Sequence, residues 1–422
     1  MNKETCIFVF ADWLGERPVL MGRLYTSVNR NKETFSFEYD PEWIRRNAES
    51  SFPTVVLDPD LPLCRGRQYL PAGKTIFGMF SDSCPDRWGR LLMKRREAIN
   101  ARKEVRKPRA LNESDFLLGV YDETRMGGLR FSLSEDGEFL ASDKTLAAPP
   151  WTTLRTLESA SLAFENSRDA DEEKWLRQLL APGSSLGGAR PKATVQAPDG
   201  SLWIAKFPAQ KDEWNIGAWE MVAHELAVRC GLNVPEAKLQ TFSKNGGTYL
   251  SKRFDRADGK RIHFASAMTL LGKTDGQGAD GSGYLDIAEF ITANGARPRE
   301  DLRELWKRIV FGMSVSNTDD HLRNHGFLLT ENGWVLSPMY DVNPNIYGES
   351  LSLNVGRDDN SIDYELAVDV CEYFGISRTE AQKTVDEMKE IVNTNWIQFA
   401  QAQGLNRGEI ERMAPAFNMD YK

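Results

Sequence analysis

One segment constrains the fold of this chain more than any other. It joins a helical apolar repeat, a dense polar stretch and a strand-like hairpin without interruption. Residues 301–315 repeat apolar side chains at helical spacing, and residues 317–325 then hold two Asp, two Asn, two His and an Arg. The strand-like runs "HGFLLT" and "WVLSPMYD" follow, joined by the turn "ENG", and the second run ends at Asp341. The chain therefore delivers a carboxylate just after a hairpin that follows a polar loop.

This order of elements is typical of a phosphotransferase site. There the loop carries a base Asp and a metal-binding Asn, and a second metal-binding Asp follows the hairpin. In the catalytic loop of protein kinases the base and the Asn are five positions apart. Asp319 lies five positions before Asn324, whereas Asp320 lies four. The spacing predicts Asp319 as the catalytic base and Asn324 and Asp341 as ligands of Mg²⁺, which prefers oxygen. We expect His321 near the phosphates or in a structural hydrogen bond.

Two other interpretations of the polar stretch stay open. His321 and His325 are four positions apart and on a helix could bind zinc, but HExxH is absent and no cluster of nitrogen or sulfur ligands stands nearby. A purely structural polar turn is the stronger alternative. The residues themselves assign no role to Asp320 beyond solvent contact or loop structure.

Two upstream features favour a nucleotide site. In "SSLGGARPK" (184–192), Gly187 and Gly188 would let backbone N–H groups approach a phosphate, although a flexible surface turn explains the stretch equally well. Lys206 lies in the apolar strand "LWIAKFP", where a lysine is costly to bury without a partner. If it faces a cleft, we expect it to bind ATP phosphates and to pair with Glu220 on the next helix. Otherwise it faces water on an edge strand.

The segment "KRFDR" (252–256) is the candidate hinge between two lobes. Its backbone, starting at Lys252, could bond adenine, with Phe254 packed on the ring and Asp255 near the ribose. The alternative is an Arg–Asp surface pair at a strand end. Each motif is weak alone, and the order of the motifs along the chain is what favours a nucleotide site.

The same patterns predict an α+β fold with a strand-rich part before a helical part. Residues 115–133 return to strand patterns after a helix predicted over 83–100. The expected division has three parts: a β-rich N-terminal subdomain over 1–150, an N-lobe-like part with the Gly-rich loop and the lysine over 151–260, and a helical C-terminal lobe with the catalytic loop over 261–422.

Composition excludes several classes of protein. The formal charge of −8 argues against bulk attraction to nucleic acid, although residues 94–109 hold eight basic and two acidic side chains. We interpret that stretch as a solvated helix end and linker, with a phosphate-binding patch as the alternative. Five scattered cysteines without CxxC argue against a disulfide framework or a zinc ribbon. The absence of a signal-like or membrane-spanning apolar run favours a cytoplasmic protein without membrane contact.

The motifs resemble those of the HipA family, bacterial serine/threonine kinases that act as toxins of type II toxin–antitoxin systems. The matching pieces cover most of the chain: "FGMFSDSCPDRWGRLLMKRR", "DFLLGVYDETRMGGLRF", "SSLGGARPKA", "IAKFP", "WEMVAHELAVRCGLNVP", "YLSKRFDR", "SNTDDHLRNHGFLL" and "LSPMYDVNP". Two departures stand out. The Gly-rich loop reads "GGARPK", where some members have Gln and Glu before the Lys, and Lys252 stands where an acidic residue is common.

The resemblance implies a two-lobed fold like that of protein kinases and phosphatidylinositol kinases, with an extra N-terminal domain. It implies ATP and Mg²⁺ as cofactors, with Lys206, Lys192 and the Gly-rich loop at the nucleotide. It also implies autophosphorylation at Ser185, or at Ser184 beside it, which would switch the loop out of the ATP site. A target such as an aminoacyl-tRNA synthetase and a helix-turn-helix antitoxin of HipB type would be the partners, with DNA reached through the antitoxin.

Two other functions remain open at this stage. One is a corepressor or binding module that keeps the kinase fold but has weak activity or none. The other is a kinase of small molecules on the same scaffold.

Overall fold

The computed structural model describes residues 4–30, 32–48, 55–142, 148–166, 179, 190–274 and 281–418. The strands are β1 Thr5–Ala11, β2 Val19–Asn29, β3 Lys32–Tyr39, β4 Gln68–Tyr69, β5 Leu129–Ser132, β6 Lys192–Gln196, β7 Leu202–Lys206, β8 Ala237–Ser243, β9 Gly246–Lys252, β10 Arg256–Ala257, β11 Lys260–Arg261, β12 Phe264–Ser266, β13 Gly326–Thr330 and β14 Gly333–Leu336. The α-helices are α1 Pro41–Ala48, α2 Gly78–Ser81, α3 Arg87–Lys103, α4 Glu113–Leu118, α5 Leu154–Asn166, α6 Ile216–Arg229, α7 Ala267–Leu270, α8 Tyr284–Asn294, α9 Pro298–Ser314, α10 Tyr364–Asp369, α11 Arg378–Ala402 and α12 Arg407–Met413. Helices and antiparallel strands coexist, so the predicted α+β class is confirmed.

The chain forms two compact units, each built from two stretches of sequence. The first comprises Met1–Ala205 and Arg253–Thr274, and the second comprises Lys206–Lys252 and Asp275–Lys422. The division into 1–150, 151–260 and 261–422 stays a prediction, because these units group the residues by contacts and not by function.

A twisted antiparallel sheet organises the first unit. Its strands lie in the order β4-β3-β2-β1-β5, and β1 pairs with β2 from Thr5 opposite Thr26 to Ala11 opposite Val19. Apolar side chains alternate along these strands, so one face is buried. Phe80 of α2 packs there against Phe37 and lies 6.1 Å, between ring centroids, from Phe131.

The helix expected over 83–100 is present but begins four residues later, at Arg87. Asp86 is its N-cap, and its carboxylate accepts a hydrogen bond from the backbone N–H of Gly89. Pro85 therefore precedes the helix and is not part of its first turn. Trp88 and Leu92 of this helix are buried in one apolar cluster with Phe164 of α5.

The strand prediction for residues 115–133 was wrong for its first part. Residues Glu113–Leu118 form α4, because the side chains of Asn112 and Asp115 complete a capping box at its start. Only Leu129–Ser132 is a strand within that stretch. The apolar run "DFLL" is too short for its periodicity to separate a strand from a buried helical turn.

The second unit packs helices around a hairpin. The predicted helix over 301–315 is confirmed as α9, with Leu305, Trp306 and Ile309 fully buried. Trp219 of α6 packs against Phe417, whose ring stacks on Trp396 of α11 at 4.7 Å between centroids. The apolar faces of α6 and α11 therefore share one core.

Within the described ranges, no helix combines the length and the apolar character that crossing a bilayer requires.

Candidate functional site

The polar loop begins where α9 ends, and two hydrogen bonds fix its first residues. The backbone N–H of Asn317 donates to the carbonyl of Gly312, 2.8 Å away, and the Ser316 hydroxyl donates to the carbonyl of Ala416, also at 2.8 Å. Ser316 has a left-handed backbone, with φ of 50°, which turns the chain sharply out of the helix. The loop is thus a fixed turn and not an extension of the helix, which removes the helical geometry that a two-histidine zinc site requires.

The two neighbouring aspartates of the loop have opposite environments. Asp319 is exposed, and no hydrogen bond or ion pair of its carboxylate occurs with any residue the structure describes. Asp320 is buried, at 7% exposure, and its Oδ2 accepts hydrogen bonds from the Tyr284 hydroxyl at 2.6 Å and from His325 Nε2 at 3.0 Å. Asp319 is therefore available to a substrate, whereas Asp320 is engaged inside the protein.

Charge supports this difference between the two carboxylates. Burial alone would raise the pKa of Asp320, but His325 and the Tyr284 hydroxyl hold it below its usual value. Burial and the Asp320 carboxylate in turn raise the pKa of Tyr284 well above its usual value. At neutral pH the buried group is thus a carboxylate that accepts from a neutral phenol.

Asn324 is buried, and of its two side-chain polar atoms only the nitrogen has a hydrogen-bond partner among the described residues. Its Nδ2 donates to the backbone carbonyl of Asp319 at 3.1 Å, which closes the five-residue loop on itself. Its Oδ1 is buried and has no hydrogen-bond partner among the described residues. A buried amide oxygen without a hydrogen bond costs free energy unless a ligand interacts with it. Amide oxygens are also among the oxygen ligands that Mg²⁺ binds.

Lys206 forms ion pairs with both Glu220 and Asp341. Its Nζ lies 2.5 Å from Glu220 Oε1 and 2.6 Å from Asp341 Oδ1. The predicted pairing of Lys206 with Glu220 on the following helix is confirmed, and the alternative of a lysine facing water is wrong. Burial would lower the pKa of Lys206, but the carboxylates of Asp341 and Glu220 raise it above its usual value, so the amine stays charged.

Hydrogen bonds fix the hairpin that precedes Asp341 to helix α9. Asp301 accepts a hydrogen bond from the backbone N–H of Leu336 at 2.9 Å, and Arg308 donates to the carbonyl of Ser337 at 2.7 Å. Asp341 itself has a left-handed backbone, with φ of 60°. Such a conformation is uncommon for a residue other than glycine and is concentrated at functional sites.

The chain on either side of Asp341 is fastened to the polar loop. The Tyr340 hydroxyl donates to the carbonyl of Arg323 at 2.6 Å, and Asn345 Nδ2 donates to the Thr318 hydroxyl at 2.7 Å. Gly348 is required by close approach, since a Cβ there would lie 2.1 Å from the Thr318 hydroxyl oxygen. The residues next to Asp319, Asn324 and Asp341 are therefore held together within the second unit.

Three other residues assigned to ATP have partners of their own. Lys192 is buried, and its Nζ lies 2.6 Å from the carboxylate of Asp86. Lys252 is partly exposed, with its Nζ 3.8 Å from Glu236. Phe254 lies 6.2 Å from Phe264 between ring centroids. Nucleotide contacts at these positions stay predictions, and for Lys192 the contact competes with a buried ion pair.

Asp255, predicted near the ribose, is a fully buried structural carboxylate of the first unit. It accepts from Arg253 and Arg256, each at 2.6 Å, and from the backbone N–H of Gly127 at 2.9 Å. Burial would raise the pKa of Asp255, but the two guanidinium groups hold it below its usual range. The ribose contact stays a prediction, and the exposed surface pair that was its alternative is excluded by burial.

Four predicted positions lie outside the described residues: Ser184, Ser185, Gly187 and Gly188. His321 is half-buried, and its backbone carbonyl accepts from the backbone N–H of Asn324 at 2.8 Å. Among the described residues, no group of three or more His, Cys, Asp or Glu side chains is placed to share a metal.

Sequence reasoning missed two participants. Tyr284 lies 36 residues before Asp320, in a stretch with no motif, so no signal in the sequence pairs them. Thr318 belongs to no motif recognised in the sequence. Its hydroxyl nevertheless accepts a hydrogen bond from Asn345 Nδ2, and its backbone carbonyl accepts one from the Ser352 hydroxyl. The abrupt change to apolar residues after His325 was the available hint, because it places that histidine at the edge of the core.

Residues 184–396, just over half of the chain, match the model of the HipA-like C-terminal domain. The chain belongs to the HipA family. The matched range contains Lys206, Glu220, the polar loop and Asp341.

Proteins similar in sequence to this chain carry kinase or toxin names. Y4mE of Sinorhizobium fredii, named provisionally as a kinase, is 30% identical over 182 residues, which cover 37% of this chain and 41% of that protein. Toxin YjjJ of Escherichia coli is 24% identical over 188 residues, which cover 39% of each chain. The matches thus span about two fifths of the length of these two relatives.

A solved structure supports the fold over nearly the whole chain. A chain of the Shewanella oneidensis MR-1 toxin–antitoxin system HipA, HipB and operator DNA complex superposes with a TM-score of 0.63, covering 97% of this chain and 95% of that one. Sequence identity is 18%, so the likeness shows a HipA-like fold.

The shared lysine generates a prediction about stability. We expect Glu220→Gln to lower the free energy of unfolding by about 1–3 kcal/mol, since it removes a buried charged acceptor of Lys206. The matched control is Glu236→Gln, which changes a half-exposed carboxylate beside Lys238 and is expected to cost less than about 1 kcal/mol. Urea unfolding of the three proteins measures both effects, and equal losses in the two variants would contradict the buried pairing.

Proposed function

We propose that this HipA-family chain is an ATP- and Mg²⁺-dependent protein serine/threonine kinase. The observation that carries the proposal is the contrast within the polar loop. In the part of the chain that the structure describes, the exposed Asp319 carboxylate has no partner, and Asn324, whose Nδ2 donates to the Asp319 carbonyl, keeps a buried amide oxygen without one. A purely structural turn would be expected to satisfy the buried amide oxygen of Asn324 internally.

Each side chain has a role in this proposal. Asp319 would accept or orient the proton of the substrate hydroxyl, and Lys206 would bind phosphate oxygens while Glu220 holds it in place. Asn324 and Asp341 would hold Mg²⁺, which supplies neutralisation of the phosphate charge. Because phosphoryl transfer requires mainly positioning and charge stabilisation, these few groups suffice for the chemistry.

The charges of the site agree with a bound cation. Lys206 contributes one positive charge, and Glu220 and Asp341 contribute two negative charges within 2.6 Å of its Nζ. The three groups together therefore carry one net negative charge. A divalent cation at Asp341 would offset this charge and would leave Lys206 able to face phosphate oxygens.

We further propose that the chain acts as the toxin of a type II toxin–antitoxin system. The toxin name of the relative YjjJ and the assembly of the structurally similar HipA with HipB and operator DNA support this. A helix-turn-helix antitoxin would be its partner, and DNA would be reached through that antitoxin. A component of translation, such as an aminoacyl-tRNA synthetase, would be the substrate.

The base assignment is tested by Asp319→Asn. We expect it to slow phosphoryl transfer from radiolabelled ATP by at least about 100-fold, because an amide cannot accept the hydroxyl proton. The control is Asp358→Asn, the same change at an exposed position of the same unit, which should leave the rate unchanged. Phosphoproteomics after induction of wild type and Asp319→Asn would identify the target. A wild-type rate in purified Asp319→Asn would rule out Asp319 as the base.

Autophosphorylation is tested at the Gly-rich loop. Phosphate on Ser185 is expected to inactivate the kinase, because its charge would lie beside the ATP phosphates. Incubation with ATP should therefore inactivate wild type and Ser184→Ala progressively but not Ser185→Ala, with mass spectrometry of the loop peptide locating the phosphate. Protection by Ser184→Ala alone would assign the site to Ser184. Full ATP competence of protein that carries phosphate at Ser185 would contradict the proposal.

A further inference from the structure

The buried Asp320 carboxylate connects the two ends of the polar loop. Asp320 directly follows the proposed base Asp319, and His325 directly follows the proposed metal ligand Asn324. The Nε2 of His325 lies 3.0 Å from Asp320 Oδ2, and both side chains are almost completely buried. One hydrogen bond therefore joins the neighbours of the two proposed functional residues.

The same oxygen is anchored to a separate helix. Tyr284 at the start of α8 is fully buried, and its hydroxyl donates to Asp320 Oδ2 at 2.6 Å. The backbone N–H of Tyr284 donates to the carbonyl of Asn354 at 2.9 Å, which fixes the start of the helix. The Tyr284 and His325 rings meet edge to face, 5.6 Å apart, so the three side chains also pack together.

We propose that Tyr284, Asp320 and His325, here named the Asp320 clamp, are positioning residues for the reaction of the proposed kinase. The inference rests on the proposed function, since it assigns the clamp to the separation and aim of Asp319 and Asn324. The clamp itself does not touch the substrate.

The physical argument concerns distance. The side chain of Asn324 also bonds the carbonyl of Asp319, so the loop is closed twice, once by this bond and once by the clamp. Loosening one closure lets the base and the metal ligand move relative to each other. A misplacement of about 1 Å costs about 100-fold in rate, whereas binding of ATP through Lys206 and other contacts changes little.

Tyr284→Phe tests the clamp with the smallest change, because it removes one hydroxyl and keeps the ring. We expect kcat to fall about 10- to 100-fold while KM for ATP stays within about twofold. The matched control is Tyr39→Phe, which removes the hydroxyl of a buried tyrosine that donates to the Leu61 carbonyl in the first unit. This control is expected to leave kcat unchanged, although it also loses a buried hydrogen bond.

Replacements of His325 supply a rescue that a general loss of stability would not show. Glutamine can place an amide N–H near the position of Nε2, whereas leucine cannot donate. We expect His325→Leu to lose kcat as Tyr284→Phe does, and His325→Gln to recover most of the rate. Equal rates in the two variants would overturn the role of the hydrogen bond.

Hydrogen exchange keeps the test independent of catalysis. In wild type, amides of residues 316–325 should be protected, and Tyr284→Phe but not Tyr39→Phe should speed their exchange. Unchanged protection in Tyr284→Phe would overturn the clamp, as would an unchanged kcat in an active enzyme. If wild-type protein transfers no phosphate to any protein, the proposed function fails, and the exchange result still decides whether the clamp orders the loop.

Discussion

The sharing of Lys206 between Glu220 and Asp341 is the interaction on which the site depends. It joins the last residue of β7, helix α6 and the segment after the hairpin through one ammonium group. Buried charges are tolerated only when they are paired, so the mostly buried side chains of Lys206 and Glu220 require this pairing. The pairing also fixes the position of Asp341, whose left-handed backbone would otherwise be a costly choice for that residue.

A second constraint is that the adjacent residues Asp319 and Asp320 of the polar loop face opposite environments. Asp320 turns inward and accepts hydrogen bonds from Tyr284 and His325, while Asp319 turns outward and remains available. The inward carboxylate of Asp320 holds the loop in place, and the outward carboxylate of Asp319 is accessible to a substrate. A HipA-family chain with this loop can therefore hold a base steady without using that base as a structural anchor.

Much of the site could be predicted from the sequence because it depends on spacing along the chain. The interval from Asp319 to Asn324 and the fourteen residues from Lys206 to Glu220 reflect local geometry of a loop and of a strand followed by a helix. The pairing of Tyr284 with Asp320 could not be predicted, because two residues far apart in sequence meet only after the helices pack. Burial of Asp255 was missed for the same reason, since its partner Gly127 is 128 positions away.

We propose that Asn324 and Asp341 hold the metal of a nucleotide site organised by Lys206. The most direct test of this proposal is a crystal structure of the protein with Mn²⁺ and a non-hydrolysable ATP analogue. We expect an anomalous manganese peak within about 2.5 Å of Asn324 Oδ1 and of an Asp341 carboxylate oxygen, with Lys206 Nζ on a phosphate oxygen. Manganese and nucleotide bound away from these three side chains would contradict it.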